Sequence, residues 1–323
     1  MMIVTGAAGF IGSCVVSKLN ERGIKDLILV DHYDDDADPK KKNLEGKEYS
    51  KYFDKKDFLK LIQEDAIKDS ITAVIHMGAC SSTTCQDAPY FEENNFEYTR
   101  ALARWALKRN ARFIYASSAA TYGDGGSGYR DDFPTMLSCK PLNLYGQSKQ
   151  KFDLWAFENS LLDKIVGLKF FNVFGPNEYH KGDMRSVAAK NYQRIAQEGK
   201  ISLFKSYRKD YADGEQKRDF VYVKDAVQVV LFFLDNPKVN GIFNIGTGRA
   251  RSWNDLARAM FSAVGKEPAI DYIDMPDVLK DKYQYFTEAN MNKLRAGGYT
   301  QAFMSLEDSI KDYAKYLKTQ KYL

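Results

Sequence analysis

Short apolar runs alternate with amphipathic stretches through the first half of this chain. Met1–Thr5 has the length and character of a buried strand, and a helical pattern follows through Val15, Val16 and Leu19 to Gly23. Leu27–Val30 predicts a second strand, and Phe58, Leu59 and Ile62 a short helix. Ile71–Ile75 predicts a third strand, and 90–108 a long helix with Leu102 and Trp105 on its apolar face. Arg112–Ala116 predicts a fourth strand. A helix from Tyr145 through Phe152, Leu154, Trp155 and Phe157 then leads to a strand over Ile165–Val173. Strands alternating with helices over some 170 residues predict an α/β fold with a doubly wound parallel sheet.

The regular pattern stops at Phe174-Gly175-Pro176, where Gly-Pro marks a crossover. Beyond it the pattern predicts a helix over 183–197, a long polar segment over 204–216, a strand at Phe220–Val223, a helix at Lys224–Leu234 and a strand at Ile242–Ile245. Ser252, with Asp255 three residues on, predicts a capped helix to Val264. Leu306, Ile310, Tyr313 and Leu317 form one stripe of a last helix. Two domains are expected. The larger comprises 1–172 plus about 217–247; a smaller, discontinuous α/β substrate domain comprises 173–216 plus about 248–323.

Composition narrows the class. The 323 residues are 44% hydrophobic and 28% charged, with a net charge of +4. That balance is ordinary for a soluble enzyme and hints at anionic ligands without a basic tail for nucleic acid. Cys14, Cys80, Cys85 and Cys139 make no Cys-x-x-Cys and have no paired histidines, so no metal site is expected and the thiols fit a reducing cytoplasm. No apolar run reaches the ~18 residues of a membrane span, and the early strand leaves no room for a signal peptide.

Chemistry enters with Gly6-Ala7-Ala8-Gly9-Phe10-Ile11-Gly12, set between a strand and a helix. Glycines there let the backbone turn tightly and approach a pyrophosphate, which the helix N-terminus can hold, as in Rossmann sheets. Asp31, about 20 residues past the glycines, suits a ribose 2′-hydroxyl and argues for NAD. Lys40, Lys41 and Lys42 could instead meet the 2′-phosphate of NADP, so these residues leave the choice open. His76–Cys80 and the hydroxyl-rich Ser81–Thr84 follow a strand end, where such sheets bind ligands, and Ser117-Ser118 follow the next. Tyr145 and Lys149, one helical turn apart, complete the set. An ammonium beside a phenol favours the phenolate and would lower the tyrosine pKa. Tyr145 would then be the acid/base group, Lys149 would tune it and hold the cofactor ribose, and Ser118 would hold a substrate oxygen. Paired hydride and proton transfer is the chemistry this set supports.

These motifs, with Ser117–Gly123 and Arg218-Asp219-Phe220-Val221-Tyr222-Val223, resemble the extended short-chain dehydrogenase/reductase family over essentially the whole chain. More narrowly, His76–Thr84, Lys140–Gly146, and Phe171–Pro176 followed by His180-Lys181-Gly182 resemble the ADP-L-glycero-D-manno-heptose 6-epimerases. The resemblance implies an NADP-preferring cytoplasmic homopentamer that inverts C6 of an ADP-linked heptose for lipopolysaccharide. It implies two proton-transfer groups, Tyr145 and Lys181. It places cofactor contacts at Phe10, Ile11, Asp31, His32, Lys40, Lys55, Met77, Gly78, Ala79, Cys80, Ser81, Asn94, Lys149, Val173 and Lys181. Substrate contacts are implied at Asn172, Asp183, Lys190, Phe204, Lys205, Ser206, Tyr207, Arg218 and Tyr283. Asp183 and Lys190 depart from the serine and histidine common in the family, and Phe204–Arg218 is longer than usual. A hexose 4-epimerase or 4,6-dehydratase on the same scaffold, or a non-catalytic NADP sensor, are the competing expectations. The dehydratase would want an acidic pair beside Ser118, and Ala119-Ala120 offers none.

Overall fold

A computed structural model describes residues 1–280 and 283–323. Seven strands form the main sheet: β1 (Met2–Thr5), β2 (Leu27–Asp31), β3 (Lys51–Asp54), β4 (Ala73–His76), β5 (Arg112–Ser118), β6 (Ile165–Phe170) and β10 (Gly241–Ile245). Their order is β10-β6-β5-β4-β1-β2-β3, with every pairing parallel. Chain direction across the sheet reverses between β1 and β4, the switch point at which such sheets bind ligands. Side chains alternate between two cores. Val4, Leu27, Leu29, Ile75 and Ile114 pack on one face; Ile3, Ile28, Val30, Val74 and Phe113 pack on the other. Burial on both faces explains why these strands read as continuous apolar runs.

Two smaller sheets accompany the main one. β7 (Asn172–Phe174), β9 (Lys217–Tyr222) and β11 (Ala250–Ser252) form one, in the order β11-β9-β7. β8 (Ile201–Phe204) and β12 (Ile270–Ile273) pair in parallel in the other. Of the segment 217–247, Lys217–Tyr222 therefore pairs in the small sheet, while β10 returns to the large one.

Several elements differ from expectation. β3 is an additional edge strand. The helix predicted over 90–108 contains a π-helical segment, Glu92–Glu97, before Tyr98–Lys108. The strand predicted over 165–173 divides at Phe171, whose N–H donates to Ile245 O, and β7 turns into the small sheet. The helix predicted from 183 is a short 3-10 segment, Tyr179–Met184, followed by Val187–Glu198. The Ser252–Asp255 capping box forms in full. Among the described residues no helix is long and apolar enough to cross a membrane, and no group of three metal-ligating side chains gathers.

Candidate active site

The glycine loop closes over the C-terminal ends of β1 and β4. Gly6 has φ +65°, and a Cβ there would stand 2.5 Å from Gly78 N. A Cβ on Gly12 would collide with Gly6 O. The helix Phe10–Glu21 begins at Gly9 with no side-chain cap, so its first N–H groups are left for an anion. This cradle and uncapped terminus fit a dinucleotide pyrophosphate.

Two adjoining hollows run along this edge. The larger, about 430 Å3, is lined by Gly6, Gly9, Phe10, Ile11, Gly12, Met77, Ser81, Ser118, Tyr145, Lys149, Asn172, Val173 and Lys181. The second, about 270 Å3, is lined by His32, Lys55, Cys80 and Asn94. Asp31, Lys40, Gly78 and Ala79 line both. Every cofactor contact that the resemblance implies thus borders one hollow or the other, whereas Lys41 and Lys42 line neither and Lys41 Nζ pairs with Asp36 at 3.1 Å. Asp31 is already engaged: Oδ2 accepts from Ala8 N at 2.7 Å and Oδ1 from His32 N at 2.7 Å. Lys40 Nζ lies 3.5 Å from Asp31 Oδ1 and donates to His32 O. Lys55 Nζ donates to Asn94 Oδ1 at 2.7 Å.

Tyr145 and Lys149 lie on the helix Leu144–Glu158, which Asn143 caps through Gly146 N. Their coupling differs from the expected one. Burial holds the Tyr145 phenol above its usual range, opposed by a hydrogen bond with Ser118, and Lys149 does not offset it. Lys149 Nζ instead donates to Ala116 O on β5 at 2.7 Å. Its burial pushes its pKa down to about 8, with Asp153 one turn further on pulling it up. Half-buried Lys181 enters the cleft from the 3-10 segment, its ammonium 5.5 Å from the centre of the Phe10 ring. Burial lowers its pKa and the Glu178 carboxylate opposes the fall. A phenol that keeps its proton and an amine that releases one more readily are a natural acid and base pair.

A third cavity, about 560 Å3, is lined by residues including Gly123, Asn143, Leu144, Arg218 and Tyr283. The Arg218 guanidinium is buried and stands 5.1 Å from the Tyr283 ring centre, with Phe204 edge-on to Tyr283. Burial lowers the Arg218 pKa from its ordinary value, and the neighbouring Tyr283 opposes the fall. Of the remaining substrate candidates, Ser118 and Asn172 line the larger hollow, while Asp183, Lys190, Lys205, Ser206 and Tyr207 border none of the three cavities. Asp183 and Lys190 are exposed, with Lys190 Nζ donating to Asp183 O at 3.2 Å. Lys205 pairs with Asp274 at 3.3 Å, Tyr207 Oη donates to Asp274 at 2.9 Å, and Ser206 N donates to Asp213 at 2.7 Å.

Three supports lie outside the expected site residues. Asn95, beside the expected Asn94, grips Cys80 through both N and O and donates to Ser148. His180 lines the cleft, with a pKa pushed down to about 4 by burial and by Lys181. Asp153 and Lys169 form a buried pair at 2.6 Å that also holds Ser117 and Tyr115. Only the i, i+4 spacing of Asp153 from Lys149 could have drawn attention to this pair. His76 is fully buried, bonded to Thr5 and Thr99, with a pKa near 3.

The sequence profile described as the NAD dependent epimerase/dehydratase family matches residues 2–246. The chain is 55% identical over 315 residues to an ADP-L-glycero-D-manno-heptose-6-epimerase of Nitratidesulfovibrio vulgaris, covering 98% of this chain and 97% of that one. It is 48% identical to a protein of the same name from Fusobacterium nucleatum, covering all of both chains. The crystal structure of the Helicobacter pylori ADP-L-glycero-D-manno-heptose-6-epimerase superimposes with a TM-score of 0.82 at 27% identity, covering 98% of this chain and 96% of that one.

Proposed function

The chain belongs to the NAD dependent epimerase/dehydratase family, and from that membership we infer that it inverts C6 of the heptose in ADP-D-glycero-β-D-manno-heptose. The product, ADP-L-glycero-β-D-manno-heptose, serves the inner core of lipopolysaccharide. The full-length identity to heptose epimerases supports the substrate. The observation that carries the mechanism is that Tyr145 and Lys181, from different parts of the chain, border one cleft beside the glycine loop.

A bound nicotinamide dinucleotide supplies reversible hydride transfer at C6. Ser118 holds the C6 oxygen. Tyr145 gives a proton to that oxygen, or takes one from it, for one epimer, and Lys181 does so for the other. Lys149 orients the cofactor ribose, and Arg218 grips the substrate diphosphate with its planar fork. Lys181→Ala should remove most epimerase activity while circular dichroism and cofactor content persist. Unchanged turnover overturns the two-base reading. Product stereochemistry read by NMR across a nucleotide-sugar panel tests the substrate, and turnover of UDP-hexoses alone would overturn it.

NADP is the cofactor we favour over NAD. Asp31 is occupied by two backbone N–H groups, and Lys40 and Lys55 border the same hollow. Lys40→Ala should cut the NADP-over-NAD affinity ratio by on the order of tenfold or more in fluorescence titrations; an unchanged ratio would remove Lys40 from that role. The working form is read as a cytoplasmic homo-oligomer, a homopentamer by family resemblance, which sedimentation analysis tests.

A further inference from the structure

Two buried polar side chains that border none of the three cavities hold the segment carrying Lys181. Asn177 and Glu178 are 0% and 1% exposed. The Glu178 carboxylate accepts from Gly175 N at 3.1 Å, from Ser186 N and Oγ at 2.5 and 2.7 Å, and from Tyr313 Oη at 3.0 Å. Gly175 and Ser186 bracket the 3-10 segment Tyr179–Met184, and Tyr313 belongs to the last helix, Leu306–Thr319. Asn177, at φ +75°, donates from Nδ2 to Ser13 Oγ at 2.9 Å, and its carbonyl accepts from Asn43 Nδ2 at 3.1 Å. Ser13 stands in the helix that follows the glycine loop, and Asn43 in the turn after β2.

We propose that Glu178 is the positioning residue for Lys181. Its carboxylate ties both ends of the Lys181 segment to the last helix, while Asn177 fixes the same segment to the cofactor-cradling helix. The ammonium is thereby delivered over Phe10 into the cleft. A carboxylate with four donors at fixed places is a rigid anchor, because each donor left without its acceptor in the interior carries a desolvation penalty. The proximity of its negative charge also opposes the loss of the Lys181 proton that burial promotes. This rests on Lys181 as one of the two proton-transfer groups.

The test separates the two hydride transfers. Holoenzyme is mixed with each heptose epimer in turn, and reduction of the bound nicotinamide is followed in a single turnover. Glu178→Gln and the milder Tyr313→Phe should retain fold and cofactor. Both should slow the same epimer's half-reaction that Lys181→Ala slows, by on the order of 10- to 100-fold for Glu178→Gln, with the other half-reaction close to unaltered. Equal slowing of both half-reactions, or of neither, while Lys181→Ala slows one, overturns the positioning role and leaves the two-base reading intact. Lys181→Ala slowing neither overturns both.

Discussion

At Tyr145 and Lys149 burial acts on two acids of opposite charge type. A phenol in a poorly solvated cleft stays neutral, whereas an ammonium there gives up its proton more easily. Tyr145→Phe should therefore lower kcat by roughly 10²- to 10⁴-fold with the melting temperature little changed. Lys149, with its pKa near 8, should hold a cofactor as a cation at pH 7 and largely lose that charge by pH 9. NADP affinity should weaken about tenfold across that range, and Lys149→Met should flatten the dependence; equal slopes in both proteins would show that another group titrates. His76 makes a stability argument with the sign reversed from that of a paired, raised histidine. The unfolded chain takes up a proton near pH 6.5, but folded His76 refuses it until about pH 3. Its stabilising contribution is complete above 6.5 and is lost as pH falls. A loss of about 1–2 kcal/mol between pH 6.5 and 5 follows. The urea midpoint should drop accordingly, with a smaller drop in His76→Asn; a midpoint flat with pH would refute this.

Among the elements, the strands buried on both faces were readable because nothing in their sequence competes with an apolar run. β3 was not, since Lys51-Tyr52-Phe53-Asp54 is short, pairs on one side only and stays partly exposed. The π-helical Glu92–Glu97 is invisible to periodicity, because the apolar stripe resumes at Leu102 after the extra residue is absorbed. Its consequence is chemical: Asn95 faces Cys80 and Ser148. Removing that amide leaves the half-buried backbone N–H and C=O of Cys80 unpaired, so Asn95→Ala should cost about 1–2 kcal/mol in urea unfolding and weaken cofactor binding through the Cys80 loop. Binding unchanged at reduced stability would restrict Asn95 to packing. Arg218 and Tyr283 line one cavity, with Phe204 packed edge-on behind Tyr283, whereas Lys205 and Tyr207 turn to Asp274. That partner lies some 70 residues away, and no local pattern announces it. Lys181 was legible only as a motif residue, because the Phe10 ring over which its ammonium stands lies far away in the sequence.

For the molecule as a whole, the question is what keeps Arg218, in the small sheet, in register with a cofactor cradle on the large one. Its neighbour Asp219 is fully buried and accepts from Thr247 N and Oγ1 at 2.7 Å each, from Gly248 N at 2.9 Å and from Ala289 N at 3.0 Å. Thr247 and Gly248 follow β10 directly, so one carboxylate joins β9 to the edge of the seven-stranded sheet. Burial raises its pKa and these four bonds pull it back. Gly246 must lack a side chain for the approach, since a Cβ there would stand 2.6 Å from Asp219 Oδ2. Asp219→Ala strands four donors and should cost at least ~3 kcal/mol. The functional loss should be unequal. The glycine loop rests on β1 and β4, away from this junction, so cofactor affinity should hold within a few-fold, whereas substrate KM should rise more than tenfold as Arg218 loses its place. Calorimetric titration of cofactor and of ADP into the same folded variant measures both. Parallel losses would mean that the two sheets move as one body and that Asp219 supports the whole cleft rather than its substrate half.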